Sequence, residues 1–381
     1  MKYRPLPGTE LELSVLGLGS YGLAGVYGPP DAGAFTSLVH RAYDLGITFF
    51  DTAAGYGQAE TVLGRAVAPF RKHVTVCTKV GPGKTGTLSA QHLGTSCEES
   101  LRRLHTDYVD LYLLHYDAPS TPAGEIIAAL ESLKQAGKIR YYGVGHLPGD
   151  RITELVQRGC VSAVLMELHP AAWDQHAQVV PRIGNTGIIG FSVTGRGLFT
   201  GRCRPDVQFG PGDIRRLDPL FQREQLASGL RIAGFLENLG RLLDMTQAEL
   251  STAWALTRAG VASVLTGTSS TRHLEENARG AVRPFPPDLL EEFDAFLEAE
   301  RKQVRAERRE NLRSLLSGQL AQDPETARRD LVYLMEGMVS EGWASEGQVR
   351  ELFFAMQRAQ DRVALTGIQR DLRAMAPKTH A

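Results

Sequence analysis

The sequence has few cysteines, and their spacing excludes the sites that paired cysteines build. Its four cysteines are widely separated, and no two of them form a C-x-x-C pair. They are Cys77, Cys97, Cys160 and Cys203. We therefore expect neither a disulfide framework nor a cysteine zinc site. Isolated thiols are typical of a reducing compartment, so the expected location is the cytoplasm.

The chain also lacks long hydrophobic runs and an excess of charge of either sign. No apolar stretch approaches the roughly 20 residues of a membrane-spanning helix, and residues 1–5 do not resemble a signal peptide. The 42 basic residues nearly balance 43 acidic ones, which gives a formal net charge of −1. A nucleic-acid-binding protein is expected to carry a basic face. Neither a membrane nor a nucleic acid is therefore predicted as a partner.

A third absence concerns dinucleotide binding. No G-x-G-x-x-G motif follows the first predicted strand, which argues against a doubly wound dinucleotide-binding sheet. Strand-like and helix-like patterns instead alternate about eight times. The predicted strands lie near Leu16 and over 49–51, 74–79, 109–115, 141–145, 163–167, 188–192 and 264–267. This alternation predicts parallel strands with right-handed crossovers, and hence an α/β fold, a (β/α)8 TIM barrel preceded by an N-terminal β-hairpin.

Two regions interrupt the alternation. Residues 200–245 form a long insertion, which we expect to be a lid or a binding loop. Beyond residue 287, helical patterns continue to the C-terminus, and 291–316 carries dense mixed charge. We predict a barrel domain over 1–300 and a C-terminal helical extension over 301–381. The apolar stripe of the extension favours packing on the barrel, with a homo-oligomer contact or a partner site as alternatives.

Four ionisable residues stand at or just after the ends of three early strands. They are Asp51, Tyr56, Lys79 and His115. The strand ends of a barrel surround one mouth, so these side chains should converge. Singly, each has an ordinary structural explanation. Together they form a proton donor, because an ammonium held by a carboxylate lowers the pKa of a phenol from about 10. A donor aimed at a carbonyl indicates reduction, and a nicotinamide cofactor is then implied as the source of hydride.

Over roughly residues 5–300 the sequence resembles the aldo-keto reductase family. The motifs that carry the resemblance are Gly46-Ile47-Thr48-Phe49-Phe50-Asp51-Thr52-Ala53 with Tyr56-Gly57 and Glu60, Thr78-Lys79, Ser100-Leu101-Arg102-Arg103-Leu104 with Asp107-Tyr108-Val109-Asp110-Leu111, Gly137-Lys138-Ile139-Arg140, Glu167-Leu168-His169-Pro170, Gly195-Arg196-Gly197-Leu198 with Gly201, and Gly267-Thr268 with Glu276-Asn277. The resemblance implies an oxidoreductase that reduces an aldehyde or ketone to an alcohol with NADPH. It places the catalytic tetrad of the family on the four ionisable residues above.

The resemblance also implies binding residues, and no metal. For the cofactor they are Gly19, Ser20, Asp51, His146, Phe191, Gly195, Gly197, Leu198, Gly201, Gly267, Thr268, Ser269, Arg272, Glu276 and Asn277. For the small carbonyl substrate they are Tyr27, Tyr56, His115, Tyr116 and Trp173. Phe191 corresponds to an aromatic that stacks on the nicotinamide ring. The segment from Gly267 to Arg272 resembles a clamp for the adenosine 2′-phosphate, and Glu276 and Asn277 would contact the adenine.

The sequence departs from the family where the nicotinamide carboxamide is usually held. A Ser-Asn pair and a Gln are replaced by Gly145, His146 and Leu165, of which only His146 has a side chain that forms hydrogen bonds. The departure keeps two further hypotheses open. One is cofactor-independent acid–base chemistry on a carbonyl compound, such as dehydration, enolisation or epimerisation. The other is a non-catalytic regulator that senses the cofactor and acts through the helical extension.

Overall fold

Eight parallel strands form a closed barrel, as the alternating pattern predicts. The structure, a computed structural model, describes residues 1–83 and 86–377. Its strands are β1 (Tyr3–Pro5), β2 (Glu12–Ser14), β3 (Leu16–Gly19), β4 (Phe49–Asp51), β5 (Thr75–Val80), β6 (Val109–Leu114), β7 (Ile139–Gly145), β8 (Val161–Glu167), β9 (Gly187–Phe191) and β10 (Val261–Thr266). β1 and β2 form an antiparallel hairpin, and β3 to β10 pair in sequence order until β10 meets β3. The predicted fold class is confirmed.

Helices follow the barrel strands and continue beyond them. They are α1 (Ala32–Asp44), α2 (Ala59–Val67), α3 (Ala90–Leu104), α4 (Ala123–Gln135), α5 (Gly149–Arg158), α6 (Asp174–Val179), α7 (Arg223–Leu243), α8 (Gln247–Ala255), α9 (Thr271–Val282), α10 (Pro287–Ser317), α11 (Pro324–Ser340), α12 (Glu346–Arg358) and α13 (Arg362–Met375). The predicted loop at 200–245 therefore differs from the structure, because its second half is the 21-residue helix α7. The charged stretch predicted as a helix is α10.

The hairpin formed by β1 and β2 closes one end of the barrel. Leu6, Leu11 and Leu13 belong to the same buried apolar cluster as Phe49 inside the barrel. A Cβ atom on Gly187, at the start of β9, would lie 2.4 Å from a methyl carbon of Leu6. The hairpin therefore fills the end where the strands begin. Functional side chains are left to the opposite end, where barrel enzymes carry their active sites.

The chain divides into two compact units. The first comprises residues 1–202 and 236–290 and contains the barrel, and the second comprises 203–235 and the described residues from 291 onward. The second unit has its own apolar core, which includes Leu312, Leu331 and Leu334. Inside that unit the carboxylate of Glu224 accepts hydrogen bonds from Tyr333 and Asn311. The predicted division into a barrel domain over 1–300 and a helical extension over 301–381 is a statement about domains that fold independently, and it stays a prediction. In the described part of the chain, no helix combines the length and apolar composition needed to cross a membrane.

Candidate active site

The four ionisable residues predicted from the sequence meet at the open end of the barrel. Asp51 ends β4, Lys79 is the second-last residue of β5, and His115 directly follows β6. These strands are neighbours in the barrel, so their ends lie side by side. Tyr56 reaches the same place from the turn after β4, where its backbone N–H donates to the carbonyl of Ala53.

A buried ion pair forms the base of this group. The ammonium of Lys79 lies 2.6 Å from Oδ1 of Asp51 and also donates to the backbone carbonyl of Thr52 at 2.8 Å. Only 1% of the Lys79 side chain is exposed. Burial alone would lower the pKa of Lys79, but the Asp51 carboxylate raises it above its usual value. The lysine is therefore charged and fixed in one direction.

The Tyr56 phenol and the His115 imidazole lie above this pair. The Tyr56 oxygen is 3.3 Å from Nε2 of His115, and Lys79 Nζ is 5.0 Å from the centre of the Tyr56 ring. Burial, and secondarily Lys79, lowers the pKa of His115 to about 2, so its ring is neutral. Burial also raises the pKa of Tyr56 above its usual value, and Lys79 offsets this only in part. From the sequence we expected Lys79 to lower the pKa of Tyr56. In the structure the loss of hydration raises this pKa by more than Lys79 lowers it, so the phenol keeps its proton.

Aromatic rings surround the phenol. Tyr21, which sequence reasoning missed, lies 4.9 Å from Tyr56 between ring centres and 6.0 Å from Tyr27. On the other side, the Tyr116 ring stacks on His115 at 4.3 Å. Trp173 instead packs edge-to-face on Trp254 of α8 at 6.3 Å. Tyr27 and Tyr116 are therefore brought to the cluster, while the substrate contact proposed for Trp173 stays a prediction.

The three unusual residues Gly145, His146 and Leu165 lie at the end of β7, directly after it and on β8. A Cβ atom on Gly145 would lie 3.1 Å from Cβ and 3.3 Å from Cδ2 of Leu165, because the two residues face each other across neighbouring strands. Leu165 thus occupies the space that a larger residue at 145 would need. His146 has a left-handed backbone with φ 47°, and its ring lies 4.6 Å from Phe191. Burial of its ring among these neighbours lowers its pKa to about 4, so it too is neutral.

Two buried hydroxyl groups near the strand ends lack partners. The Oγ atom of Ser20, directly after β3, and Oγ1 of Thr52, directly after β4, make no hydrogen bond among the described residues. Buried hydroxyls normally find a partner, and an exception calls for an explanation. A polar ligand at the barrel mouth would supply one. Gly19, which was also predicted to contact the cofactor, is the last residue of β3.

The loop after β9 is held by polar contacts at several points. It contains Gly195, Gly197, Leu198 and Gly201, and the three glycines have positive φ angles. Arg196 is left-handed as well, with φ 50°, and its guanidinium lies 2.8 Å from Glu167 at the end of β8. Although burial opposes it, this arginine together with His169 lowers the pKa of Glu167 to about 2. The ion pair joins residues 29 positions apart in the chain, and nothing in the sequence indicated it.

The last predicted binding segment surrounds the start of α9. Gly267 has no atom within 4 Å of an added Cβ, and Ser269 is exposed. The side chain of Ser270, at the N-cap, makes no capping hydrogen bond, so the first amides of α9 remain available for an anion. The exposed Arg272 has no ion pair in the described part of the chain, and Glu276 is partly buried. Two of the predicted binding side chains form hydrogen bonds within the protein. Asn277 donates to Oγ1 of Thr266 at 2.6 Å, and Oγ1 of Thr268 accepts from the Ser270 amide.

Comparison with known proteins gives one consistent family. The sequence profile described as the aldo/keto reductase family matches residues 15–298. The protein named aldo-keto reductase yakc, NADP(+), from Schizosaccharomyces pombe is 32% identical over 281 residues, which cover 69% of this chain and 82% of the relative. The NADH-specific methylglyoxal reductase of Escherichia coli is 30% identical over 308 residues, covering 73% of this chain and 92% of that protein.

Solved structures show the same fold. The holo form of an aldo-keto reductase from Bacillus halodurans is 26% identical, with a TM-score of 0.65, over 77% of this chain and 96% of that one. A glycerol dehydrogenase from Gluconobacter oxydans is 24% identical, with a TM-score of 0.67, over 78% of this chain and 94% of that one. At that identity the second likeness concerns the barrel fold alone.

Proposed function

Because this chain belongs to the aldo/keto reductase family and is an oxidoreductase, we propose that it reduces an aldehyde or ketone to the alcohol with NADPH. The observation that supports this most directly is the Tyr56 phenol at the open end of the barrel. It lies 3.3 Å from the neutral His115 and beside the buried ammonium of Lys79. A phenol that keeps its proton at neutral pH is the state that a proton donor requires before the reaction.

In this proposal each of the four residues has one task. Tyr56 donates its proton to the carbonyl oxygen of the substrate. Lys79, oriented by Asp51 and the carbonyl of Thr52, stabilises the phenolate that remains. His115 donates a hydrogen bond to the same carbonyl oxygen from its neutral ring, and this holds the oxygen in reach of the phenol. The preorganised charge of Lys79 thus acts when the Tyr56 proton leaves.

Several residues are suited to hold a nicotinamide dinucleotide. We assign the ring to the face of Phe191, with His146 beside it, and polar groups of the cofactor to the unpartnered hydroxyls of Ser20 and Thr52. The 2′-phosphate is assigned to the uncapped start of α9 and Arg272. When bound, the reduced cofactor would supply the hydride that the carbonyl carbon accepts. The yeast relative is named for NADP(+) and the bacterial one for NADH, so the choice of NADPH rests on Arg272.

One observation favours a second candidate, acid–base chemistry without a cofactor. Leu165 fills the space beside Gly145, so neither residue offers a polar side chain to a carboxamide. A barrel that performs dehydration or epimerisation would need Tyr56 and His115 and would not need those polar groups. The unpartnered hydroxyls and the uncapped start of α9 remain unexplained in that case, which is why reduction is preferred.

Titration of the purified protein with NADPH and NADH, followed by calorimetry and by an aldehyde-reduction assay, tests the proposal. We expect saturable NADPH binding and reduction that stops without cofactor. The Tyr56→Phe variant should bind NADPH as the parent does and lose about 100- to 10,000-fold in turnover. The folded protein failing to bind either cofactor, or the variant keeping full turnover, contradicts the proposal. Turnover of a carbonyl compound without cofactor would support the second candidate.

A further inference from the structure

An open cleft lies between α2 and α3 on the outside of the barrel. Its volume is about 430 Å³, which falls within the roughly 300–1,000 Å³ of small-molecule sites. The proposed reaction uses none of its lining residues. They are Thr61 and Arg65 of α2, Glu99, Arg102 and Arg103 of α3, and His105, which directly follows α3.

A close contact between the two helices forms the cleft. A Cβ atom on Gly64 would lie 2.3 Å from the carbonyl oxygen of Leu104, so only glycine allows the two backbones to approach this closely. Arg65 directly follows Gly64 in α2. Arg103 and His105 lie on either side of Leu104 in the chain. The contact therefore brings basic side chains from both helices to the same cleft.

The guanidinium of Arg103 is held on one side and has hydrogen-bond donors left on the other. Its Nε donates to the buried carboxylate of Glu60 at 2.5 Å. Its Nη1 lies 3.7 Å from the Glu99 carboxylate, and its Nη2 lies 3.4 Å from the hydroxyl of Ser100. Strong charged hydrogen bonds are shorter than these two. The outer nitrogens can therefore donate to an anion while Glu60 fixes the ring of atoms in place.

The other two arginines leave the cleft with an excess of positive charge. Arg65 and Arg102 are exposed, and within the described residues neither guanidinium forms an ion pair or a hydrogen bond. Three guanidinium groups thus face two carboxylates, those of Glu60 and Glu99, and Glu60 is already bound to Arg103. An anion that enters the cleft would neutralise this excess.

A phosphate group matches the donors of the cleft better than other common anions. A guanidinium presents paired N–H groups that fit two phosphate oxygens at once, and a phosphate carries more charge than a carboxylate. The hydroxyl of Thr61 and the imidazole of His105 are further polar groups within the same lining. The volume of the cleft also leaves room for a small organic group attached to the phosphate.

The cleft is separate from the predicted active site. α3 ends shortly before β6 begins at Val109, so the last turn of α3 lies at the barrel end where the strands begin. Asp51, Lys79 and His115 stand at the opposite ends of their strands. A ligand in the cleft would therefore not occupy the place of the substrate.

We infer that the cleft between α2 and α3 binds a phosphate group, either free or carried by a small molecule. The juxtaposition that supports it is the unpaired Arg65 and Arg102 beside Arg103, which Glu60 holds in place. This site goes beyond the proposed function and does not depend on it.

Calorimetric titration of the full chain with inorganic phosphate at constant ionic strength tests the inference. We expect saturable binding with a dissociation constant on the order of 1 mM, the value of two charged hydrogen bonds in a site open to water. The partial negative charge at the ends of both helices keeps the affinity from being higher. Sodium chloride at the same ionic strength should give no saturable heat. Phosphate that behaves like chloride overturns the inference.

Substitution of the unpaired arginines attributes the binding to the cleft. Arg65→Ala and Arg102→Ala should each weaken phosphate binding by about tenfold, the loss of one charged hydrogen bond. Arg313→Ala is the control, because Arg313 is exposed on α10 and forms no ion pair in the described part of the chain. Affinities that stay at the parent value in both cleft variants contradict the assignment.

The acidic residue of the cleft gives a test in the opposite direction. Glu99→Gln should strengthen phosphate binding by about threefold, because it removes a carboxylate that repels the anion. Glu98→Gln is the matched control, since Glu98 pairs with Lys138 and does not line the cleft. Equal effects of the two changes would mean that only the overall charge matters, and the inference would be wrong.

A local signal separates this site from the predicted cofactor site at the start of α9. The nuclear magnetic resonance signal of the His105 ring, identified by its loss in His105→Gln, should shift with the same midpoint as the calorimetric titration. Arg272→Ala should leave this shift unchanged. A signal that does not respond while phosphate binds overturns the inference. Failure of both cofactors to bind would refute the proposed function, and the His105 signal would still decide the present inference.

A phosphate ester distinguishes the two sources of the group. Glycerol 3-phosphate should produce the same shift of the His105 signal as inorganic phosphate. Tighter binding of the ester supports a small phosphorylated molecule as the ligand, and equal or weaker binding supports free phosphate. Absence of binding by both compounds contradicts the site itself.

Discussion

The Lys79 ammonium lies 2.6 Å from the Asp51 carboxylate, and both side chains are almost withdrawn from solvent at the mouth of the barrel. A buried ion pair of this kind contributes little net stability over an apolar pair, because both charges lose their hydration. The Thr52 carbonyl takes a second hydrogen bond from Lys79 at 2.8 Å, so the ammonium is fully oriented. The arrangement keeps a fixed positive charge beside Tyr56.

Removing one partner of this pair should be far more costly than removing both. We expect Asp51→Asn to lower the free energy of unfolding by about 3–5 kcal/mol, because Lys79 then remains buried with its charge unpaired. The double variant with Lys79→Met should be more stable than the two single changes predict by addition. Urea unfolding measures the free energy of unfolding of Asp51→Asn, of Lys79→Met and of the double variant. Neutralising the exposed pair of Arg182 and Asp150 should cost less than about 1 kcal/mol. Additive losses in the double variant would contradict this account.

The pH dependence of turnover should follow the raised pKa of Tyr56. A proton donor is active while it is protonated, and a pKa above the usual phenol value of 10.0 extends that range to higher pH. We therefore expect kcat for reduction to stay level up to about pH 10, where half of an ordinary phenol has lost its proton. Circular dichroism at each pH checks that the protein is still folded. A decline in kcat centred well below pH 10 would mean that Lys79 lowers the pKa of Tyr56 by more than burial raises it.

His115 should make the folded protein sensitive to acid. Its pKa falls from 6.5 to about 2 on folding, so below pH 6.5 the unfolded chain binds a proton that the folded chain refuses. The contribution of the neutral His115 ring to the free energy of unfolding is therefore present above pH 6.5 and is lost as the pH falls. The expected loss is on the order of 2 kcal/mol between about pH 6.5 and about pH 5. Denaturant unfolding of His115→Gln should show a smaller pH slope than the parent. The exposed His73→Gln is the control and should keep the parent slope.

Much of the fold and the candidate tetrad could be predicted because both depend on local patterns. Fully buried strands such as β5 and β6 are short apolar runs, and parallel strands place their final residues at one mouth. Lys79 and His115 could therefore be placed near each other although they lie far apart in the chain. Strand boundaries moved by only a few residues, since β6 ends at Leu114 and β8 begins at Val161.

Features that depend on side-chain direction or on burial could not be predicted. The contact between Tyr21 and Tyr56 depends on the turn after β3, and the pair of Glu167 and Arg196 depends on a left-handed backbone at Arg196. The direction of the Tyr56 pKa shift required the balance between desolvation and Lys79, which only the folded structure supplies.

The close approach of Gly145 and Leu165 gives a packing prediction. Gly145→Ser should destabilise the protein by about 1–3 kcal/mol, because its Cβ would meet Leu165 at 3.1 Å. Adding Leu165→Ala should cost less in this variant than in the parent, since it removes the Cδ2 carbon that the introduced side chain would approach. Thermal and urea unfolding measure both changes. Gly94→Ser on α3 is the control, because no atom lies within 4 Å of an added Cβ there. A Gly145→Ser variant as stable as this control would show that the strands separate easily.

The choice of cofactor should depend on Arg272 at the start of α9. NADPH and NADH differ only in the 2′-phosphate, and an arginine with no ion pair among the described residues can neutralise that charge. Arg272→Ala should weaken NADPH binding by about 10- to 100-fold, the value of a hydrogen bond to a charged group. Its effect on NADH should be less than about threefold, and raising the salt concentration should weaken NADPH binding in the parent more than in the variant. Arg65→Ala, another exposed arginine with no ion pair in the described chain, is the control for general charge effects. Equal losses for both cofactors would remove the reason for preferring NADPH, and the NADH-specific relative would then be the better guide to this site.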